Sequence, residues 1–267
     1  HDSDETIPFK INQQDDDQRQ NLTIGETYHT FNKVFDAELS DQEISDEIVC
    51  LSENNLNGAN VSIVVTGFEE TTLIHDLLKA TMKNLIQREE KYKPKHWCFN
   101  YTIQYLSITT EGVVDLLSGD KSSIKLENRS IQTDAQTISS IEEIKDIEVP
   151  NDASTLIKIT VSGSNSQKSI TASTYLMNLS QIKSSDLILH AVTKIRENKF
   201  SSSEFSQSPM YQLIHFLYSN TKALTLVNLS NSAGNLKENE KLLELATFVH
   251  QTDSISVKRV YNAPSSK

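Results

Sequence analysis

Glycine is scarce in this chain, 7 residues in 267. Loops that cradle phosphates draw on several glycines so that backbone N–H groups can wrap the anion, and that supply is thin here. Cysteine is scarcer, with Cys50 and Cys98 far apart and neither near a second thiol at metal-site spacing. Two reduced, largely buried thiols are expected. The seven histidines form no i, i+4 pair and sit in no carboxylate pattern, which argues against a metal site. No nucleophile elbow is present, so no hydrolytic triad is expected either. No apolar run approaches the roughly 20 residues of a membrane span, and no charged-then-apolar leader opens the chain. The abrupt, acidic start at His1 reads as an edge with native sequence missing upstream.

What is present is acid, unevenly spread. The net charge is -11. Residues 1–120 hold 9 Lys and Arg against 22 Asp and Glu, and residues 121–267 hold 16 against 14. The second half can therefore dock on an acidic partner. A general nucleic-acid binder would show a broad basic excess, which this chain lacks. Asn-X-Ser/Thr triplets stand at Asn21, Asn60, Asn100, Asn128, Asn178 and Asn228. Asn100 and Asn178 fall within predicted strands, and Ser and Asn are abundant, so chance explains the triplets better than glycosylation. Thiols and triplets both fit an intracellular compartment.

Along the chain, residues 1–27 are polar and read as an irregular acidic edge or an irregular strand pair. Tyr28 to Phe35 alternates like a half-buried strand, and Ser40-Asp41 caps a helix bearing Ile44, Ile48 and Leu51. Val61–Val65 is an apolar strand. A helix is predicted from Leu73 to about Glu90, with Ile74, Leu77, Leu78, Met82, Leu85 and Ile86 on one face. Trp97 to Ile108 is a strand in which Trp97, Tyr101 and Tyr105 read as core rather than as a platform for bases. Gly112–Leu117 is expected to be a turn with a short helix, and residues 118–153 small hairpins with a short helix near Ile141–Ile144. Leu156–Val161 and Ser173–Leu179 form a hairpin through Gly163-Ser164-Asn165-Ser166, which makes the sheet mixed. Ser184-Ser185-Asp186 caps the next helix. Pro209 opens another, Ala223–Leu229 is a strand, and the last helix runs from about Asn239 to His250. Residues 253–267 read as a tail. Strands interleaved with helices predict a single three-layer α/β domain.

One turn carries a contradiction. Between the strand at Val61–Val65 and the helix at Leu73 lies Thr66-Gly67-Phe68-Glu69-Glu70-Thr71-Thr72. A strand entering a helix through such a turn is where a phosphate loop sits. Here there is one Gly and no Lys, and Glu69 and Glu70 put negative charge where a polyphosphate would lie. The two glutamates also have a simpler role, since acid in a helix's first turn stabilises that helix.

The order of motifs resembles a kinesin motor domain. Phe31-Asn32-Lys33-Val34-Phe35, the capped helix, and Leu56-Asn57-Gly58-Ala59-Asn60-Val61-Ser62-Ile63 are similar to that family's entry. Tyr105-Leu106-Ser107-Ile108 with Gly112-Val113-Val114-Asp115-Leu116-Leu117 is similar to its central strand and asparto-dileucine turn. Ser208 to Tyr218, then Lys222-Ala223-Leu224-Thr225-Leu226-Val227-Asn228-Leu229-Ser230, then Asn235, Glu238 and Leu242 to Val249, resembles its closing helix–strand–helix. The likeness spans about residues 28–252. It implies a kinesin-motor-like fold, a central mixed β-sheet flanked by helices on both faces.

The departures fall on the family's nucleotide site. At the first switch, Asn151-Asp152-Ala153-Ser154-Thr155 lacks the Arg. At the second, the strand ends Leu176-Met177-Asn178-Leu179-Ser180-Gln181, without the Asp, Gly and Glu. An Asn cannot supply the carboxylate that orients magnesium-bound water. With the phosphate loop, three elements of one site are missing together. The expectation is therefore no catalytic residues, no nucleotide binding, no cofactor and no metal.

This combination resembles the non-catalytic Vik/Cik-type chains that pair with catalytic class-14 kinesins of budding yeast through an N-terminal coiled coil. No sustained heptads appear here, so that coiled coil would lie outside this chain. The resemblance implies a microtubule (tubulin) partner and a place on the cytoskeleton, at the spindle and spindle pole, in nucleus or cytoplasm. It makes the helix at Ser184–Lys199 the tubulin-facing element, with Lys183, Lys194, Arg196 and Lys199 as its cations and Arg129 as a further candidate. The same cations also complement the helix dipole. A divergent ATP-hydrolysing motor and a scaffold without tubulin binding stay open as alternatives.

Overall fold

The structure is a computed structural model. It describes residues 9–13, 20–24, 27–35, 39–68, 72–109, 112–127, 130–140, 142, 153–179, 183–197, 209–230 and 232–250. A mixed sheet forms its centre. Its strands are β4 (Val61–Gly67), β5 (Cys98–Thr109), β6 (Gly112–Asp115), β7 (Lys121–Ser122), β10 (Ser154–Ser164), β11 (Ser169–Leu179) and β12 (Lys222–Asn228), in the order β12-β4-β11-β10-β5-β6-β7. β12 and β11 run parallel to β4, and the remaining pairs are antiparallel. All seven residues of β4 are buried, as an apolar run in a strand covered on both faces requires.

The strand alternation divides the core in two. On one face Ile63, Val65, Tyr105, Ile157, Ile159 and Leu176 lie under α2 (Thr72–Glu89), reached through α1 (Asp41–Ile48) and the 3-10 turn Val49–Asn57. On the other face Val64, Leu106, Leu156, Tyr175 and Met177 pack against α3 (Lys183–Glu197) and α4 (Pro209–Asn220). The three-layer α/β arrangement expected from the sequence is therefore observed.

Local chemistry explains several boundaries. Ser40 caps α1 through a reciprocal pair: Glu43 N donates to Ser40 Oγ (3.3 Å) and Ser40 N to Glu43 Oε2 (2.9 Å). The hairpin between β10 and β11 closes on Asn165, whose Oδ1 accepts from Gln167 N and Lys168 N. The connection from β12 to α5 (Leu236–His250) is held by Asn239, which is fully buried, accepts from Ser230 N (2.9 Å) and donates to Ser230 O (2.7 Å).

Five expectations are corrected. Within residues 1–31, the described segments β1 (Lys10–Gln13), β2 (Gln20–Ile24) and β3 (Thr27–Phe31) form a regular antiparallel sheet. Leu22 pins it to Leu243 of α5, and His29 Nδ1 lies 3.0 Å from Thr247 Oγ1. Gly112–Asp115 is a strand because Val113 and Val114 pair with Ile108 and Ser107 just upstream, across Thr110-Glu111, which carries no Asn-Gly-type hairpin signal. Asp115 then ends it by accepting from Leu117 N, Ser118 Oγ and Gln136 N. Ile86 is 49% exposed, since Leu85 takes the core position and its neighbour turns roughly 100° away. Cys50 and Cys98 are both exposed: Cys50 faces outward from its 3-10 turn and Cys98 opens β5 on the side opposite the Phe99 ring. Finally, α3 begins at Lys183, so Ser184, Ser185 and Asp186 lie inside its first turn. The helix expected at Ile141–Ile144 falls largely outside the described residues.

Candidate functional site

β4 carries Thr66 and Gly67 to the end of the sheet, where α2 begins at Thr72. Gly67 has a left-handed φ of 113°, and the next amide, Phe68 N, donates to Asn228 O (3.1 Å). Glu69, Glu70 and Thr71 lie outside the described residues, as does the Thr72 side chain.

The phosphate-loop pattern is Gly, four residues, Gly, Lys, then Ser or Thr. Counted from Gly67, it puts Thr72 at the second Gly, Leu73 at the Lys and Ile74 at the hydroxyl. Leu73 is 3% exposed and Ile74 2%, and both belong to the core under α2 with Leu77 and Leu78. At the places where that pattern has the lysine and the hydroxyl, this chain has two apolar side chains buried in the core. Sequence reasoning read these two residues only as a helix face; the spacing alone was signal enough to find them.

Of the two segments that the resemblance sets at the switches, the described residues Thr155 and Asn178 lie side by side near the same sheet end. Asn178 of β11 pairs with Val65 of β4 on one side and Thr155 of β10 on the other. Ser107 of β5 continues the row beyond Thr155. Asn178, Thr155 and Ser107 are all buried. Thr155 Oγ1 has no hydrogen-bond partner among the described residues. Asn151, Asp152, Ser180 and Gln181 lie outside them. On the α2 face, His75 Nε2 lies 3.2 Å from Tyr105 OH with the rings stacked, and burial pushes that phenol well above its usual range.

Of the expected tubulin-facing cations, the side chains of Lys194 and Arg196 are described. α3 is anchored by Ile188, Ala191 and Val192, with the His190 ring 5.5 Å from that of Tyr211 on α4. Lys194 is half-buried. Arg196 is exposed, yet its guanidinium lies 5.6 Å from the Phe248 ring centroid of α5. Lys183 opens the helix with its side chain outside the described residues, and Lys199 and Arg129 lie outside them altogether. Arg129 falls between β8 (Ile124–Glu127) and β9 (Ser130–Thr133). That hairpin is tied to the sheet by fully buried Ile131, whose N–H donates to Tyr175 OH (3.2 Å). The structure therefore groups Lys194 and Arg196 at the C-terminal end of α3 and leaves the other candidates undescribed.

Residues 1–117 match a family model described as microtubule binding. No curated protein sequence matches the chain. Among solved structures, one from a set of mutants bearing on activation of the kinesin motor ATPase superposes with a TM-score of 0.76 at 18% identity, covering 93% of this chain and 94% of that one. The C-terminal motor domain of Kar3 from Candida glabrata gives 0.74 at 21%, covering 93% of each. A fusion of the Kar3Vik1 motor and motor homology domain to a synthetic heterodimeric coiled coil gives 0.71 at 19%, covering 90% of this chain and 79% of that one. The architecture is the kinesin motor fold.

Proposed function

We propose that this chain is a microtubule-binding head of kinesin-motor type that neither binds nor hydrolyses ATP and works beside a catalytic kinesin chain. The observation that carries the reading is the burial of Leu73 and Ile74 at the phosphate-loop positions. A leucine cannot pair with phosphate oxygens, and an isoleucine cannot ligate magnesium. Asn178, neutral and buried beside β4, adds no carboxylate to orient a metal-bound water.

Two observations support the microtubule side. The first is the family match over residues 1–117. The second is the pair of cations on α3: stacking on Phe248 fixes the Arg196 guanidinium without neutralising it, leaving its N–H groups for a carboxylate. The likeness to the Kar3Vik1 fusion supports a heterodimeric setting, joined through a coiled coil outside residues 1–267. A head without nucleotide cannot set its own affinity by hydrolysis. Its release must come from strain delivered by the partner, which biases a bound–unbound equilibrium. Such a complex belongs to the cytoskeleton, with the spindle and spindle pole as the expected place.

Co-sedimentation with microtubules tests the reading, run with ATP, with ADP and without nucleotide, at low and raised salt. Pelleting should be indifferent to nucleotide and weaken with salt, and calorimetry should detect no ATP binding. Micromolar ATP affinity, or pelleting that tracks the nucleotide, would restore the divergent-motor reading. No pelleting at low salt would leave only a scaffold. Charge reversal at Lys194 and Arg196 should weaken pelleting if α3 is the contact.

A further inference from the structure

At the other end of the molecule lies a cationic turn unused by this function. α2 runs into a 3-10 turn, Glu90–Lys95, and the chain then enters β5. β5 runs in the same direction as β4, so this turn and Gly67 lie at opposite ends of the sheet. The aromatic side chains here pack on the α2 face, away from α3.

The turn holds Lys91, Lys93 and Lys95, all exposed, within the acidic half of the chain. The nearby carboxylates are already engaged. Glu89 accepts from Tyr101 OH (2.7 Å), Glu90 pairs with Lys93, and Glu53 pairs with Arg88 (2.6 Å). Among the described residues no carboxylate lies within ion-pair distance of Lys91 or Lys95. Two residues after Lys95, Trp97, the single tryptophan, stacks on Phe99 at 5.7 Å. Phe99 is wedged in turn, edge-on to Tyr92 and against Gly163, where a Cβ would come within 2.4 Å of the ring. The indole therefore rests on a rigid base and stays partly exposed. His96 joins turn and strand with a φ of 57°, a conformation that costs a non-glycine residue some stability.

Unneutralised lysines in the turn that leads into a fixed, partly exposed indole pair charge attraction with an apolar anchor, the combination that concentrates binding energy at interfaces. We propose that this turn and Trp97 form a docking surface for an acidic, extended segment of a partner protein that carries an aromatic or aliphatic side chain. The carboxylates would meet Lys91 and Lys95, and the apolar side chain would lie on the indole. Because the surface is remote from α3, it can be occupied while the α3 face is engaged.

Trp97 makes the site its own reporter. The whole chain is titrated, with emission read at tryptophan, against short synthetic peptides of glutamates around one phenylalanine, and against the same peptide with glutamine for glutamate. The acidic peptide should give a saturable change that raised salt weakens. The double variant Lys91→Glu, Lys95→Glu should lower the affinity at least roughly tenfold, while Lys237→Glu, on α5, should leave it unchanged. An absent response, an equal response to the glutamine peptide, or full affinity in the double variant overturns the proposal. An equal response to a single-stranded oligonucleotide also overturns it, in favour of unselective polyanion binding.

Discussion

A Cβ placed on Gly67 would lie 2.2 Å from the carbonyl oxygen of Asn228. The last strand presses its backbone against the end of β4, and φ at Gly67 is 113°. This glycine is required by the pairing of β4 with β12, so its presence in the turn says nothing in favour of phosphate. Gly67→Ala should destabilise the fold by about 2–4 kcal/mol, from backbone strain and displacement of Asn228. Chemical denaturation checks it: the midpoint should fall with the m-value unchanged. An unchanged midpoint would mean that β12 yields freely.

A lysine placed at position 73 should harm the protein rather than give it a nucleotide site. Leu73 is 3% exposed and packed in the core under α2. Leu73→Lys removes that packing and drives an ammonium group into an apolar site, at a cost of about 3 kcal/mol or more. The variant should melt lower and gain no ATP affinity by calorimetry. A stable Leu73→Lys protein that binds ATP would show a latent nucleotide site.

These two residues mark where the sequence was legible and where it was not. The Ser40 cap, the largely apolar β4 and the Asn165 hairpin turn could be read directly, because each depends on chemistry within a few residues. The strand at Gly112–Asp115 could not, because Thr110-Glu111, the two residues between it and β5, carry no hairpin-turn signal. The exposure of Cys50 and Cys98 depends on which side of an element faces out, and composition does not carry that. At the candidate site Glu69 and Glu70 lie outside the described residues, whereas Leu73 and Ile74 are described and buried. The helix pattern had already absorbed both as core. Of the five cations assigned to tubulin, Arg196 turned out to be seated on Phe248 of a distant helix, a contact between residues 52 positions apart that periodicity cannot reveal.

Thr155 pairs with Asn178 near the end of the sheet, 1% exposed, with its hydroxyl unpartnered among the described residues. A buried hydroxyl without a partner loses its hydration on folding and gains nothing in return. Thr155→Val keeps the shape and the β-branch, so it should stabilise the protein by about 1 kcal/mol, read as a raised melting temperature. Destabilisation instead would reveal a bond that this hydroxyl makes, with water or with a residue of the neighbouring undescribed segment.

His215 on α4 predicts the acid limb of the stability curve. Burial lowers its pKa from 6.5 to about 4. In the unfolded chain the imidazole takes up a proton near pH 6.5, whereas in the folded chain it resists until about pH 4. Between those values unfolding takes up a proton, so stability should fall as the pH drops through this window and level off below it. The full shift corresponds to about 3 kcal/mol, and solvent around a partly exposed ring should reduce this to about 1–2 kcal/mol. Denaturation midpoints measured from pH 7 to pH 4 should decline more steeply for the native protein than for His215→Gln, which has no charge to gain. Parallel declines in the two proteins would place the acid sensitivity on other groups. Asp134, whose pKa is lowered to about 2 by hydrogen bonds from Ser122 and Ser123, should act only below this window, so the two contributions can be separated by pH.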